Sequence, residues 1–349
     1  MTVRSTFHPR DRPASQRAVA LWLLIVAALI FAMVVLGGVT RLTHSGLSMV
    51  EWRPLTGWLP PFGEAAWQAE FEHYKQYPEY RKINLGMSLA AFKGIFWFEY
   101  AHRVLGRLIG IAFALPFLYF LLRRRLEPGL TPKLVLMLVL GGLQGLLGWY
   151  MVMSGLVDRP DVSQYRLTAH LGLAVVVYGY ILWTALGLLF APEGAPAGLR
   201  RAMFLVATLV FLVMLSGGLV AGLDAGFSYN TFPLMNGDWV AAEAFSEEPW
   251  LRDLFENPAS VQFEHRVLAL VAALAVAALW IAARPARLPR RAGLAVHALL
   301  AALVAQVTLG VLTLVYVVPV ALAAAHQAGA MVLISVAVVA AQAMGPRRR

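Results

Sequence analysis

The sequence predicts an all-α integral membrane protein. Eight transmembrane helices form two tandem four-helix bundles related by a pseudo-two-fold axis, with the N and C termini cytoplasmic. Three observations carry this expectation. Of the 349 residues, 60% are hydrophobic and only 14% are charged, where a soluble domain has about a quarter charged; mean hydropathy is +0.68. Runs of about 20 apolar residues recur along the chain, each able to cross a hydrocarbon layer roughly 30 Å thick. Four short motifs of the first half also return, in the same order, in the second.

In chain order, residues 1–18 form a short, basic, proline-containing tail. The first span, about 19–38, is longer than a signal-peptide core and no small-residue cleavage site follows it. The tail offers no amphipathic transit peptide, so a bacterial plasma membrane is expected. A long outer loop, 39–100, leads to spans at 101–122, 132–153 and 166–190, closing a first unit over 19–190. The second unit, 199–343, repeats the plan: a span at 199–223, an outer loop at 224–261, then spans at 262–283, 292–316 and 319–343. Only Pro319 and a short turn divide the last two.

Orientation follows from the basic residues, which concentrate on the cytoplasmic side of a membrane. One side collects the N-terminal tail with Arg4, Arg10, Arg12 and Arg17, and the segment with Arg123, Arg124, Arg125 and Lys133. It also holds Arg200–Arg201, the group Arg284, Arg287, Arg290 and Arg291, and Arg347–Arg349. That is seventeen basic residues against Asp11, Glu127 and Glu193, leaving twelve basic and sixteen acidic residues outside. The net charge of +10 is thus a topology signal and no nucleic-acid footprint. The chain has no cysteine, which excludes disulfides, thiolate metal sites and iron–sulfur clusters.

The internal match is specific. LGGVTR (36–41) at the end of span one pairs with SGGLVAG (216–222) at the end of span five. His102-Arg103-Val104-Leu105 pairs with His265-Arg266-Val267-Leu268. Gln144 with Gly148 pairs with Gln306 with Gly310, and Thr168-Ala169-His170 with Ala324-Ala325-His326. A tandem duplication accounts for all four. Units with an even number of spans share one orientation, so their axis lies along the membrane normal.

Eight histidines occur. His8, His44 and His73 read as ordinary surface residues, and His297 lies near the cytoplasmic end of span seven without a counterpart. His102, His170, His265 and His326 instead open spans two, four, six and eight at one depth. A lone intramembrane histidine is accounted for by a helix–helix hydrogen bond, but two matched pairs mark a functional site. Spans two and four of an up-down bundle lie diagonally across its core. Neighbouring axes are roughly 8–10 Å apart, so the diagonal is too wide for two imidazoles to meet and suits an iron porphyrin between them. Zinc would need further ligands, which this depth lacks. Arg41, Arg103, Arg107, Arg166 and Arg266 lie near the outer surface as candidate propionate partners, with interfacial snorkelling as the alternative. Both sites fall on the outer side, whereas a transmembrane electron conduit stacks its haems toward opposite faces.

The halves differ at one position. Glu99 stands three residues before His102, whereas Gln262 stands three before His265, and Glu264 is adjacent to His265. Residues i and i+3 share a helix face while i and i+1 diverge by about 100°. Glu99 is therefore expected to face whatever His102 holds, as a base or as a stabiliser of positive charge; the alternative is a helix-terminal dipole partner. The first unit is expected to be reactive and the second to hold a structural or electron-relaying haem.

Long stretches resemble one family. GGVTRLTHSGLSMVEWRPLTGWLPP (37–61), NLGMSLAAFKGIFWFEYAHRVLGRLIG (84–110), GLQGLLGWYMVMSGL (142–156) and LTAHLGLA (167–174) resemble haem A synthase. So do SGGLVAGLDAGFSYNTFPLMNGDW (216–239), ENPASVQFEHRVLA (256–269) and AAHQAGA (324–330). The absence of cysteine is similar to the proteobacterial and mitochondrial branch, and Ala241 stands where relatives often have proline. The resemblance implies an enzyme that oxidises the C8 methyl of haem O to the formyl of haem A, for terminal oxidases, by way of a hydroxymethyl stage. It implies His102 and His170 as axial ligands of the substrate haem, His265 and His326 as ligands of a haem b, and Glu99 as the catalytic carboxylate. Trp52–Pro61 is expected to fold over the first haem and Thr231–Trp239 over the second, or else both loops merely cap the bundle. The implied partners are haem O, an unidentified electron donor, the lipid bilayer, and the haem O synthase and terminal oxidase assembly factors. A bis-histidine di-haem electron-transfer cytochrome and a haem carrier are the alternatives.

Overall fold

A computed structural model describes residues 14–53, 56–157 and 160–347. The expected cytoplasmic tail falls largely outside the described residues, over 1–13, as do Pro54 within the first outer loop and Arg348–Arg349. Among the described residues, eight helices are long and apolar enough to cross a membrane. Numbering the α-helices in chain order, these are α1 (Ala14–Leu42), α4 (Leu89–Leu122), α5 (Leu130–Gly155) and α6 (Gln164–Leu189), then α7 (Ala197–Gly222), α9 (Pro258–Ala283), α10 (Arg290–Val315) and α11 (Val320–Met344). Three short helices, α2 (Gly63–Tyr74), α3 (Pro78–Lys82) and α8 (Trp250–Glu256), occupy the two outer loops.

The helix ends lie within a few residues of the expected spans, with one exception. Helix α4 begins at Leu89, not at 101. Ser88 caps it, its hydroxyl accepting from the Ala91 N–H, a contact worth about 1 kcal/mol. The added turns carry Phe92 and Phe96, which pack on Trp67, Phe71 and Tyr74 of α2 in an aromatic cluster of their own. Lys93 and Glu99 interrupt the apolar run, so a span-length pattern ends where the helix does not. At α9 the Asn257 side chain accepts from the Ala259 N–H and Pro258 opens the helix, where the missing proline N–H costs nothing.

Helices α1, α4, α5 and α6 pack in a ring, each touching its two neighbours, and α7, α9, α10 and α11 form a second ring in the corresponding order. The rings meet through α6 on α7, α1 on α11, and α6 on α11. The main buried core therefore runs along α1, α6, α7 and α11, from Leu23 and Val26 through Ile181 and Ala185 to Met203, Val210 and Ala337. Alanine-rich α11 lets its neighbours approach closely, as small residues do in membrane bundles.

Candidate functional site

Helices α4 and α6 stand on opposite corners of one ring, and this brings His170 within electrostatic reach of His102. His265 on α9 and His326 on α11 are paired likewise in the other ring. Among the described residues, no third histidine or carboxylate joins either pair to make a metal cluster. Each ring lies against a glycine of the adjoining helix. A Cβ at Gly37 would stand 3.1 Å from His102 Nε2, and one at Gly148 would stand 2.8 Å from His170 Cε1. At Gly217 it would meet His265 Cε1 at 3.3 Å, and at Gly310 His326 Cε1 at 2.8 Å. The paired glycines of the repeat thus cut a notch for every imidazole, which no larger residue leaves open.

Polar neighbours orient two of these rings. The Gln144 amide reaches His170 Nδ1 at 3.1 Å and its carbonyl at 2.9 Å. Gln306 of α10 neighbours His326, but the His326 Nδ1 and the Gln306 Oε1 are each buried without a hydrogen-bond partner. Ser216 Oγ lies 2.7 Å from His265 Nδ1 and also donates to the Val213 carbonyl at 2.9 Å. A hydroxyl has one proton. With that proton on Val213, Ser216 accepts from Nδ1–H, which leaves Nε2 of His265 with a free lone pair, the form a metal ligand requires. Among the described residues, none hydrogen-bonds the His102 ring.

Glu99 lies in the third turn of α4, so it is no helix-terminal cap. It is 3% exposed. One oxygen accepts from Ser48 Oγ at 2.8 Å and the Met49 N–H at 2.7 Å, and the other pairs with Arg103 at 2.6 Å. Arg103 also donates to the carbonyls of Met49 and Glu51. The second ring repeats this with a neutral group: the Gln262 carbonyl oxygen accepts from Arg266 at 2.9 Å, its amide donates to Ala225 O at 2.6 Å, and Arg266 donates to Tyr229, Pro233 and Leu234 carbonyls. The counterpart of Glu99 is therefore Gln262, and Glu264 takes no part in this arrangement.

The other candidate arginines bond loop and helix-end groups. Arg41 on α1 pairs with Asp224, beyond α7, at 2.9 Å, and its Nε is buried without a partner, as is that of Arg266. Arg107 donates to the Arg53 carbonyl and lies over Trp58. Arg166 donates to the Tyr150 carbonyl and stacks on its ring. At the first ring, Trp58 and Trp52 of the loop after α1 reach α4 and α5: the Tyr100 hydroxyl donates to the Trp58 carbonyl, and Trp52 stacks on Trp149 at 5.4 Å. At the second, Arg266 holds Tyr229 to Leu234 to α9, and Asn230 donates to Leu314 O of α10.

Ser48, Ser216 and Glu79 escaped the sequence reading. Ser216 was within reach, since it precedes the paired glycines opposite Leu36. Glu79 on α3 is 3% exposed, accepts from the Tyr74 hydroxyl at 2.9 Å, and lies in a chain that continues to Asn84. Burial pushes its carboxyl up to about 7, with Glu99 and Asp161 adding to the rise against the Tyr74 hydrogen bond and Arg41.

Comparison with known proteins agrees in one direction. Residues 20–338 match the model of the COX15-CtaA family, described as cytochrome oxidase assembly protein. The chain is 53% identical over 329 residues to the haem A synthase of Nitrosospira multiformis, covering 93% of this chain and 92% of that protein. It is 51% identical to that of Parvibaculum lavamentivorans, over 93% of this chain and 94% of the other. It is 47% identical to the Bos taurus haem A synthase COX15, over 93% of this chain and 81% of that one.

Proposed function

The chain belongs to the COX15-CtaA family of cytochrome oxidase assembly proteins, and we propose that it works as a haem A synthase whose first ring of helices holds the substrate and whose second holds a resident haem. It is a multi-pass membrane enzyme that oxidises haem O to haem A. His102 and His170 hold the substrate, and His265 and His326 hold haem b. Two features support this fit: the histidines of each pair stand on opposite helices of one ring within electrostatic reach, and each imidazole lies against a glycine. The matching helix contacts of the two rings support a tandem duplication. Under the basic-residue rule both termini are cytoplasmic and both sites lie toward the outer side of a bacterial plasma membrane.

The observation that carries the reading is the pairing of Glu99 with Arg103 one helical turn before His102, against the neutral Gln262 with Arg266 before His265. When bound, the substrate haem supplies both the methyl group to be oxidised and the iron chemistry. The protein supplies position and charge. Glu99 accepts hydrogen bonds from a serine, a backbone N–H and an arginine, which hold the carboxylate in place to stabilise positive charge developing at the methyl carbon. Arg41 and Arg266, each with a buried unpartnered Nε, are the better placed propionate partners; the Nε of Arg103 is already bonded to Glu99. The two outer loops keep water from the sites. An electron donor, the haem O synthase and oxidase assembly factors complete the proposed partners.

Expression of Glu99→Gln in cells lacking haem A, followed by acid extraction of the purified protein, tests this. Both haems are expected to remain, with haem O unconverted. Haem A formed at the unaltered rate would remove Glu99 from the chemistry. Haem B alone in both sites of the unaltered protein would instead favour an electron-transfer cytochrome or carrier.

A further inference from the structure

The two rings treat their first histidine differently. In the repeat, Leu36-Gly37-Gly38 corresponds to Ser216-Gly217-Gly218, and the structure agrees: Gly37 lies against His102 as Gly217 lies against His265. Leucine therefore stands where the second ring has the serine that accepts from His265 Nδ1–H. Each first histidine lays one edge of its ring against the paired glycine, 3.1 Å from a Cβ placed at Gly37 and 3.3 Å from one placed at Gly217. His170 has the Gln144 amide at its ring, whereas His326 Nδ1, like the His102 ring, has no hydrogen-bond partner among the described residues; of the two first histidines, only His265 has one.

We propose that Leu36 and Ser216 are positioning residues that decide which haem is released: Leu36 makes His102 the exchangeable ligand of the substrate site, and Ser216 locks His265 onto the resident haem. The proposal rests on the assignment of the substrate to the first ring. A hydrogen bond from Nδ1–H fixes the ring and raises the basicity of the metal-binding nitrogen, and loss of such a partner weakens metal binding by about 10- to 100-fold. A site that takes up haem O and gives up haem A gains from lacking that bond. A site whose haem stays gains from keeping it. His170, oriented by Gln144, would keep its hold on the haem in the first ring while His102 lets go. The more strongly donating, hydrogen-bonded histidine also favours ferric iron, so it lowers the reduction potential of its haem.

The test uses the purified full-length protein with its haems, transferring them to excess apomyoglobin, with each haem type followed by extraction. Leu36→Ser is expected to slow loss of the haem O or haem A fraction about ten-fold and to lower its midpoint potential. Ser216→Ala is expected to hasten loss of haem b and raise its midpoint. Leu36→Ala removes the same bulk without supplying an acceptor, and should not slow release. Unchanged release and potential in Leu36→Ser, with haem b retained as in the unaltered protein, would overturn the proposal. His102→Ala separates the underlying assignment: if it depletes haem b and spares haem O or haem A, the rings have been assigned the wrong way round, whatever Leu36→Ser does.

Discussion

Glu99 and Gln262 occupy equivalent places and differ by a nitrogen for an oxygen, yet that exchange separates an arginine held in an ion pair from an arginine held by a neutral amide. The difference was legible in the sequence because a three-residue spacing on a helix fixes a shared face. What held Glu99 was not: Ser48 and the Met49 N–H lie some fifty residues earlier, in a loop with no periodicity to read. The glycine notches make a sharper prediction. A Cβ at Gly148 or Gly310 would stand 2.8 Å from an imidazole carbon, too close for either ring to keep its place. Gly148→Ala is expected to lose most of the first-ring haem and keep haem b, and Gly310→Ala the reverse, as read by the absorbance and extracted haems of the purified variants. Equal loss in both variants would mean that the glycines serve packing alone.

Among the elements, the eight spans were legible because length and hydropathy define them almost alone. The start of α4 was not, because its first turns are stabilised by an aromatic cluster with α2 that only tertiary structure assembles. Beside that cluster sits Glu79, and its burial has a consequence. Its folded carboxyl titrates at about 7, above the unfolded value, so the folded loop holds the proton more tightly. The stability this gives is complete below about 4.5 and is lost as pH rises through 7. Protection of residues 63–84 against hydrogen exchange is therefore expected to fall between pH 5 and 8, and Glu79→Gln is expected to flatten that dependence. A pH-independent loop in the unaltered protein would contradict this.

At the scale of the molecule, two rings with matching helix contacts meet through α1, α6, α7 and α11, and the proposed duplication, read from four short motifs, pairs those rings helix by helix. It could not foretell the contacts between halves, such as Arg41 reaching Asp224. Asp224 is half-exposed, so this ion pair contributes no more than about 1 kcal/mol. Arg41→Ala should shift the thermal midpoint little; if it depletes haem instead, Arg41 serves a propionate and not the joint between halves. The central claim is that equivalent rings hold different haems and that only the first transforms its own. The most direct measurement is acid extraction of haems from His102→Ala and His170→Ala proteins, set beside His265→Ala and His326→Ala. The first pair is expected to lose haem O and haem A while retaining haem b, and the second pair to lose haem b. Depletion of the same haem by all four variants would contradict it.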